Sequence, residues 1–182
     1  MTLSILKCAV ITPVNSDAEK GFAVTAESVR NAVTYDRGIF DDISHIRIDD
    51  PKDVLGPAKA RDLGVEQARE AGADWVFFAD AGVRLMPDIF RLATPALVSY
   101  DAVWGSSCVI DPEEEWAALI RESISAFDEF PIMVRRLHDY WFGTAHFVRL
   151  ESVAEIGCDS GVAGQAAEVD YLLRLWRKAR CI

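Results

Sequence analysis

Apolar residues follow two rhythms along this chain. Short uninterrupted runs alternate with stretches where they recur every three or four positions, the pattern of buried strands interleaved with amphipathic helices. Residues 5 to 14, ILKCAVITPV, predict a buried strand ending at Pro13. Ala23, Ala26, Val29 and Val33 recur at helical spacing and predict a helix over about 22 to 35. ISHIRIDD alternates Ile43, His45, Ile46 and Ile48, then closes on Asp49 and Asp50. GPAKARDLGVEQAREAGAD opens on Gly56 and Pro57, sets Ala60, Leu63, Gly64, Ala68 and Ala71 along one face, and stops at Gly72, which predicts a helix. WVFFADAGVRL, residues 75 to 85, is an apolar run that ends on Asp80, and a helical stretch follows from Pro87 to about Leu97.

The second half continues the alternation. AVWGSSCVI, residues 102 to 110, predicts a strand. DPEEEWAALIRESI predicts a helix with Asp111 as cap, Pro112 at its first position and Glu114 closing a capping box. TAHFVRL predicts another strand, followed by a short helix at 151 to 156. AEVDYLLRLWRKAR predicts a last helix with Val169, Leu172, Leu173 and Trp176 as its buried stripe. Nearly uniform apolar strands alternating with helices predict an α/β fold with a mostly parallel sheet. Ligands of such sheets gather beyond the carboxyl ends of the strands. That rule points to Pro13–Asn15, Asp49–Asp50 and Asp80–Gly82 together.

Composition narrows the chemistry. Nineteen Lys and Arg face 29 Asp and Glu, a formal net charge of −10. Such a balance repels a nucleic-acid backbone, and no basic stripe with interleaved aromatics offsets it, so nucleic acid is not an expected partner. No apolar stretch reaches the length of a bilayer. MTLSILKCAVITPV reads as a first core strand rather than a signal peptide. Cys8, Cys108, Cys158 and Cys181 form no C-x-x-C pair, which fits a reducing, cytoplasmic setting rather than a zinc site. Neither G-x-G-x-x-G nor G-x-x-x-x-G-K-[ST] is present.

Several polar residues admit two readings each. Asp80 either meets a ligand or ends a strand and turns the chain. Glu168 and Asp170 are acids in the first turn of a helix, where the dipole favours them without any catalysis. Arg61 is a phosphate ligand or a salt-bridging organiser. Arg135 and Arg136 could grip a diphosphate or form a solvated pair, and Tyr140, Trp141 and Phe142 could stack on a sugar or pack in the core. Glu113, Glu114 and Glu115 fit helix capping better than catalysis, and His45 fits a structural place on a strand.

In order, VITPVN, KARDLGVEQAREAGADWVFFADAGVRLMPD, GTAHFVRLESVAEIG and EVDYLLRLWRK resemble the successive blocks of family-2-type glycosyltransferases. The resemblance implies the GT-A fold of the nucleotide-diphospho-sugar transferases, a mixed, mostly parallel sheet flanked by helices. It implies one domain over 1–182, with a nucleotide-binding half over about 1–100 and an acceptor and base half over about 101–182. Pro13 and Val14 would lie beside the nucleotide. Arg61 matches the family's helix arginine, with Asp62 in place of the usual Asn. Asp80 matches the first acid of Asp-x-Asp, which holds nucleotide and a divalent metal, and Gly82 stands where the second would be. Ala167 and Glu168 replace Glu-Asp, so Glu168 takes the base position, with Asp170 as the alternate and Arg174 matching the following arginine.

Asp50 and Arg61 are 11 positions apart, too close for the two strands the family places there. If IRIDD is the nucleotide-contacting strand, Asp49 or Asp50 accepts from the base or ribose. The implied activity is hexosyl transfer from a nucleotide-diphosphate sugar to a saccharide or other hydroxyl acceptor, inverting, with a carboxylate base. Mg²⁺ or Mn²⁺ at Asp80, or Arg and Lys, would balance the departing diphosphate. One Asp holds such an ion weakly, and His138 or His146 are the candidate further ligands for Mn²⁺. The alternative is a degenerate GT-A-like domain that binds nucleotide, sugar or a protein partner without turnover, which Gly82, the altered Glu-Asp pair and the short length favour. The short acceptor half also leaves room for a homo-oligomer or a membrane-associated partner.

Overall fold

The structure is a computed structural model. It describes residues 5–52, 54–104, 145–159, 161 and 165–182, with the backbone alone for 165–169. These residues form β1 (Lys7–Asn15), α1 (Glu19–Tyr35), β2 (Asp42–Asp50), α2 (Gly56–Glu70), β3 (Trp75–Ala79), α3 (Ile89–Ser99) and β4 (Ala102–Trp104). After these come β5 (Ala145–Arg149), α4 (Leu150–Ile156) and α5 (Gln165–Lys178). The strand order is β2-β1-β3-β5-β4. β1 runs parallel to β2 and β3, while β5 is antiparallel to both β3 and β4, so the sheet is mixed and mostly parallel.

Side-chain alternation along the strands divides the core into two layers. On one face, Cys8, Val10, Trp75, Phe77 and Phe147 meet Val29 and Ala32 of α1 and Phe90 and Leu97 of α3. On the other, Ala9, Ile11, Val76, Phe78 and Val148 meet Ala60, Val65 and Ala68 of α2, Val153 of α4, and Leu172 and Leu175 of α5. Trp75, Phe77 and Phe78 are fully buried, and each contributes roughly 1.5–3 kcal/mol through burial. β3 therefore gives the loop that follows it a rigid base. Gly64 sets how near α2 comes, because a Cβ there would lie 2.4 Å from Ile11 Cγ2 on β1.

α2 begins and stops where its glycines predict, and Gly72 takes a φ of +73° after its end. The inner faces of three helices differ from the hydrophobic count. α1 buries Thr25 with Val29 and Ala32, and Ala23 is exposed. α2 buries Arg61, and Leu63 is 41% exposed. α5 buries Tyr171, Leu172 and Leu175, while Leu173 and Trp176 face outward. The cause is common to all three: Thr25, Arg61 and Tyr171 are polar residues whose hydrogen bonds, described below, make burial favourable.

At the opposite end of the sheet, Asp101 accepts from Arg149 Nε at 3.0 Å and from Arg180 Nε at 3.1 Å. The Arg180 hydrogen bond, with Arg149 and the Arg180 backbone, holds the Asp101 carboxyl at about 2 although partial desolvation opposes this. Cys181 bridges Ala102, which ties the last residues to β4. No helix among the described residues is long and apolar enough to cross a membrane. The rest of the strand predicted to 110, the helix opened by Asp111 and Pro112 with Glu113, Glu114 and Glu115, Arg135, Arg136, His138, Tyr140, Trp141 and Phe142 lie outside the described residues.

Candidate functional site

β1 and β2 end together, with Asn15 level with Asp50 and Pro13 level with Ile48. Ile11 is level with Phe78 on the other side, so continuing the register sets Asp80 across from Pro13. The chain passes from β1 to β2 on one flank and then crosses back to β3 on the other. Strand order therefore reverses between β1 and β3, the place where open α/β sheets hold ligands. Pro13 is half-buried and Val14 buried at this edge.

Arg61 reaches this edge from α2. Its Nη2 donates to Asp80 Oδ1 at 2.8 Å, and its guanidinium lies over the Phe78 ring with 6.0 Å to the centroid. The pair is asymmetric: the Arg61 side chain is 6% exposed and the Asp80 side chain 34%. A buried guanidinium stays charged, and here it holds one oxygen of the Asp80 carboxylate turned inward.

The turn after β3 is held from α1. Thr25 Oγ1 accepts from the Gly82 N–H at 3.0 Å and donates to the Asp80 carbonyl at 3.2 Å, with the Gly21 carbonyl 3.3 Å away. Ser28 Oγ accepts from the Leu85 N–H at 3.1 Å. Gly21 permits the contact, since a Cβ on it would sit 2.9 Å from Gly82 N. Gly82 itself has φ +99° with open space where a Cβ would point. Backbone conformation, not crowding, therefore demands glycine at the position where the family resemblance expects a second acid.

The acids of β2 already have partners. Asp50 is buried, and its carboxylate accepts from the N–H groups of Val54, Leu55 and Gly56 at 2.9, 3.0 and 2.9 Å. It thereby caps α2, whose own N-cap, Leu55, has no side chain for the task. Desolvation raises its pKa, but the three donors together outweigh this and leave it below the usual carboxylate value. Asp49 is exposed and accepts from Arg47 Nε at 2.7 Å, and Arg47 also forks onto both oxygens of Glu19 at 3.0 and 2.7 Å.

α5 packs on the same face as α2. Near its start Tyr171 bonds His146, which is level with Phe78, whereas Arg180 beyond its end bonds Asp101 ahead of β4. The first two turns of α5, which carry Glu168 and Asp170, therefore stand at the Asp80 end of the sheet. The Glu168 side chain lies outside the described residues. Asp170 accepts from Arg174 Nε at 2.7 Å, and Arg174 also donates to the carbonyls of Ile156, Gly157 and Cys158. Asp62 grips the same loop, accepting from the N–H groups of Cys158 at 2.6 Å and Asp159 at 3.0 Å.

His146 is fully buried, with Nε2 3.1 Å from the Tyr171 hydroxyl and its ring stacked on Trp104 at 5.5 Å. Burial, with Arg61 adding to it, lowers its pKa to about 3. It lies against the Phe78 ring at 5.0 Å, the ring over which the Arg61 guanidinium sits. His45 is 2.9 Å from the Thr12 hydroxyl through Nε2 and faces away from this cluster along β2. Among the described residues no three His, Cys, Asp or Glu side chains gather in a way that could hold a metal ion. Thr25 and Tyr171 organise the site yet stand out in no motif; the one signal is a polar residue at the inner spacing of each helix.

The fold is a mixed, mostly parallel sheet flanked by helices on both faces. No family model matches the chain, and no curated protein matches it. Among solved structures it is similar to 4-diphosphocytidyl-2C-methyl-D-erythritol synthase from Anaerococcus prevotii. That match covers 97% of this chain and 87% of the other, at 13% identity and a TM-score of 0.50. It also matches a candidate nucleotide-diphospho-sugar transferase from Desulfovibrio desulfuricans over 96% of this chain and 78% of that one, at 14% identity and a TM-score of 0.43. Likeness at such identity concerns the fold; the reaction rests on the site.

Proposed function

We propose that the chain binds a nucleotide-diphosphate sugar in the crevice between the ends of β1 and β3 and transfers the sugar to a hydroxyl acceptor with inversion. The observation that carries this reading is the one-third-exposed Asp80 carboxylate, gripped by buried Arg61 at the carboxyl end of the central strand where strand order reverses. Pro13 and Val14 would wall the nucleotide. Asp50 is engaged as a cap, so a ribose or base contact from β2 falls to Asp49. Glu168, on the turn that α5 brings to this end, is the proposed base, with Asp170 the alternate. In that step the acceptor oxygen bonds to the anomeric carbon, its proton passes to the carboxylate, and the bond to the diphosphate breaks with its electron pair leaving on phosphate oxygen. Mg²⁺ or Mn²⁺ is the part of the implied site that the donor set at Asp80 does not fit, and no step is assigned to it.

Calorimetry with a panel of nucleoside diphosphates and nucleotide sugars tests the reading. Cytidine nucleotides belong in the panel because the Anaerococcus neighbour is named for a diphosphocytidyl compound. Binding that Asp80→Ala abolishes, together with sugar transfer or donor hydrolysis seen by mass spectrometry, is the expected result. No binding by any member overturns it. The second reading, a domain that binds without turnover, is favoured by the commitment of Asp170 to Arg174. Asp80-dependent binding with neither transfer nor hydrolysis would select it.

A further inference from the structure

We infer that this chain holds its diphosphate ligand without a divalent ion, Asp80 acting as the counter-charge of Arg61 rather than as a metal ligand; the inference rests on the donor-binding reading above. A divalent cation at such a site is normally held by carboxylate oxygens together with the ligand's phosphates. Three observations work against that arrangement here.

The first is the backbone at Gly82. Its φ of +99° is a region that residues with a Cβ rarely adopt, and the space beside it is open, so glycine is required by conformation. The turn cannot readily relax, because Thr25 binds both the Asp80 carbonyl and the Gly82 N–H and Gly21 lies directly against it. A second acid is thus excluded by the way α1 supports the loop, and a single substitution does not restore it.

The second is the charge already present. Arg61 is buried and lies 2.8 Å from Asp80 Oδ1. A dication on this carboxylate would be set close to a guanidinium that cannot lose its proton or reach water.

The third is the state of the neighbouring acids. Asp50 accepts from three backbone N–H groups, Asp62 from two, Asp49 from Arg47, and Asp170 from Arg174. Recruiting any of them to a metal at Asp80 would break a cap, a loop clamp or an ion pair.

Free Mn²⁺, followed by its electron paramagnetic resonance signal, is titrated with the full chain, alone and with cytidine, uridine and guanosine diphosphates. Matching nucleotide–Mn²⁺ solutions give the baseline. The expected result is no Mn²⁺ uptake that Asp80→Asn removes, and nucleoside diphosphate affinity that changes by less than about fivefold between EDTA and Mn²⁺. Mn²⁺ held equally by the Asp80→Asn chain sits elsewhere and supports the assignment. Uptake lost in Asp80→Asn, or a larger gain in affinity with Mn²⁺, overturns it. The affinity arm uses the unaltered chain and stands if the variant fails to fold. Gly82→Asp is expected to gain no Mn²⁺ site; a gain also overturns the inference. If no nucleotide binds, the donor reading falls while the titration with Mn²⁺ alone still decides the role of Asp80.

Discussion

Arg61 and Asp80 lie 2.8 Å apart across a gradient of burial, the guanidinium inside and the carboxylate at the surface. An ion pair built this way fixes the geometry of its exposed member, because the buried member cannot follow water. Removing the carboxylate leaves a buried charge short of a partner, a change that costs about 3–5 kcal/mol when both groups are buried. With Asp80 one-third exposed and Arg61 keeping other contacts, Asp80→Ala should cost about 2 kcal/mol and Asp80→Asn less, since the amide oxygen still accepts. Urea unfolding of the two variants measures the difference, and equal stability of Asp80→Ala and the parent would remove Arg61 from the account.

Gly82→Ala should destabilise the chain by roughly 1–2 kcal/mol through backbone strain alone, as its Cβ meets nothing. Gly21→Ala should cost more, because there the Cβ collides with the Gly82 backbone at 2.9 Å. The order of the two melting temperatures is the check.

Thr25→Val keeps the shape of the side chain and removes the hydroxyl that joins Asp80 to Gly82. Leaving a buried N–H and C=O less well paired costs about 1–3 kcal/mol. Nucleotide affinity should fall with stability, whereas a change at exposed Leu173 should alter neither; calorimetry on both variants separates the cases.

His146 supplies a pH limb. Its folded pKa of about 3 lies below the ordinary 6.5, so below pH 6.5 the unfolded chain takes up a proton that the folded chain refuses. The contribution is complete above 6.5 and is lost as pH falls toward 3. His146→Gln should flatten the decline of unfolding free energy with pH in that window.

Asp101 supplies a second, more acidic limb. Its carboxyl is held at about 2 against an ordinary 3.8, so its contribution is present above 3.8 and disappears as pH falls toward 2. Its ion pairs are partly exposed, and screening limits the effect to on the order of 1 kcal/mol. Urea unfolding of Asp101→Asn across this range should show a shallower acid limb than the parent, with the two curves converging near pH 2.

The elements were legible because strands buried on both faces must be apolar and helices on a sheet must be striped. Gly56, Pro57 and Gly72 marked α2 with its true ends, and the strand endings pointed to Asp80. The direction of β5 was not legible: Ala145–Arg149 is buried between two neighbours, so an antiparallel strand there has the same apolar pattern as a parallel one. Inner faces were misread where Thr25, Arg61 and Tyr171 stood, since hydrophobic periodicity assigns polar residues to solvent. Those three adjoin the candidate site, where local rules give way to function or to its support. Asp49, Asp50, Asp62 and Asp170 looked interchangeable as acids; only the loops folded around them show which carboxylates are already committed.

Position 62 shows what one such commitment removes. An asparagine there could accept from one N–H and still offer its own amide protons to something bound. The aspartate accepts from Cys158 and Asp159 with both oxygens and has no proton to give. One oxygen in place of one nitrogen turns a residue able to speak to a ligand into one that speaks only to its own chain. A ligand bound at this end of the sheet would find no side-chain hydrogen-bond donor at position 62.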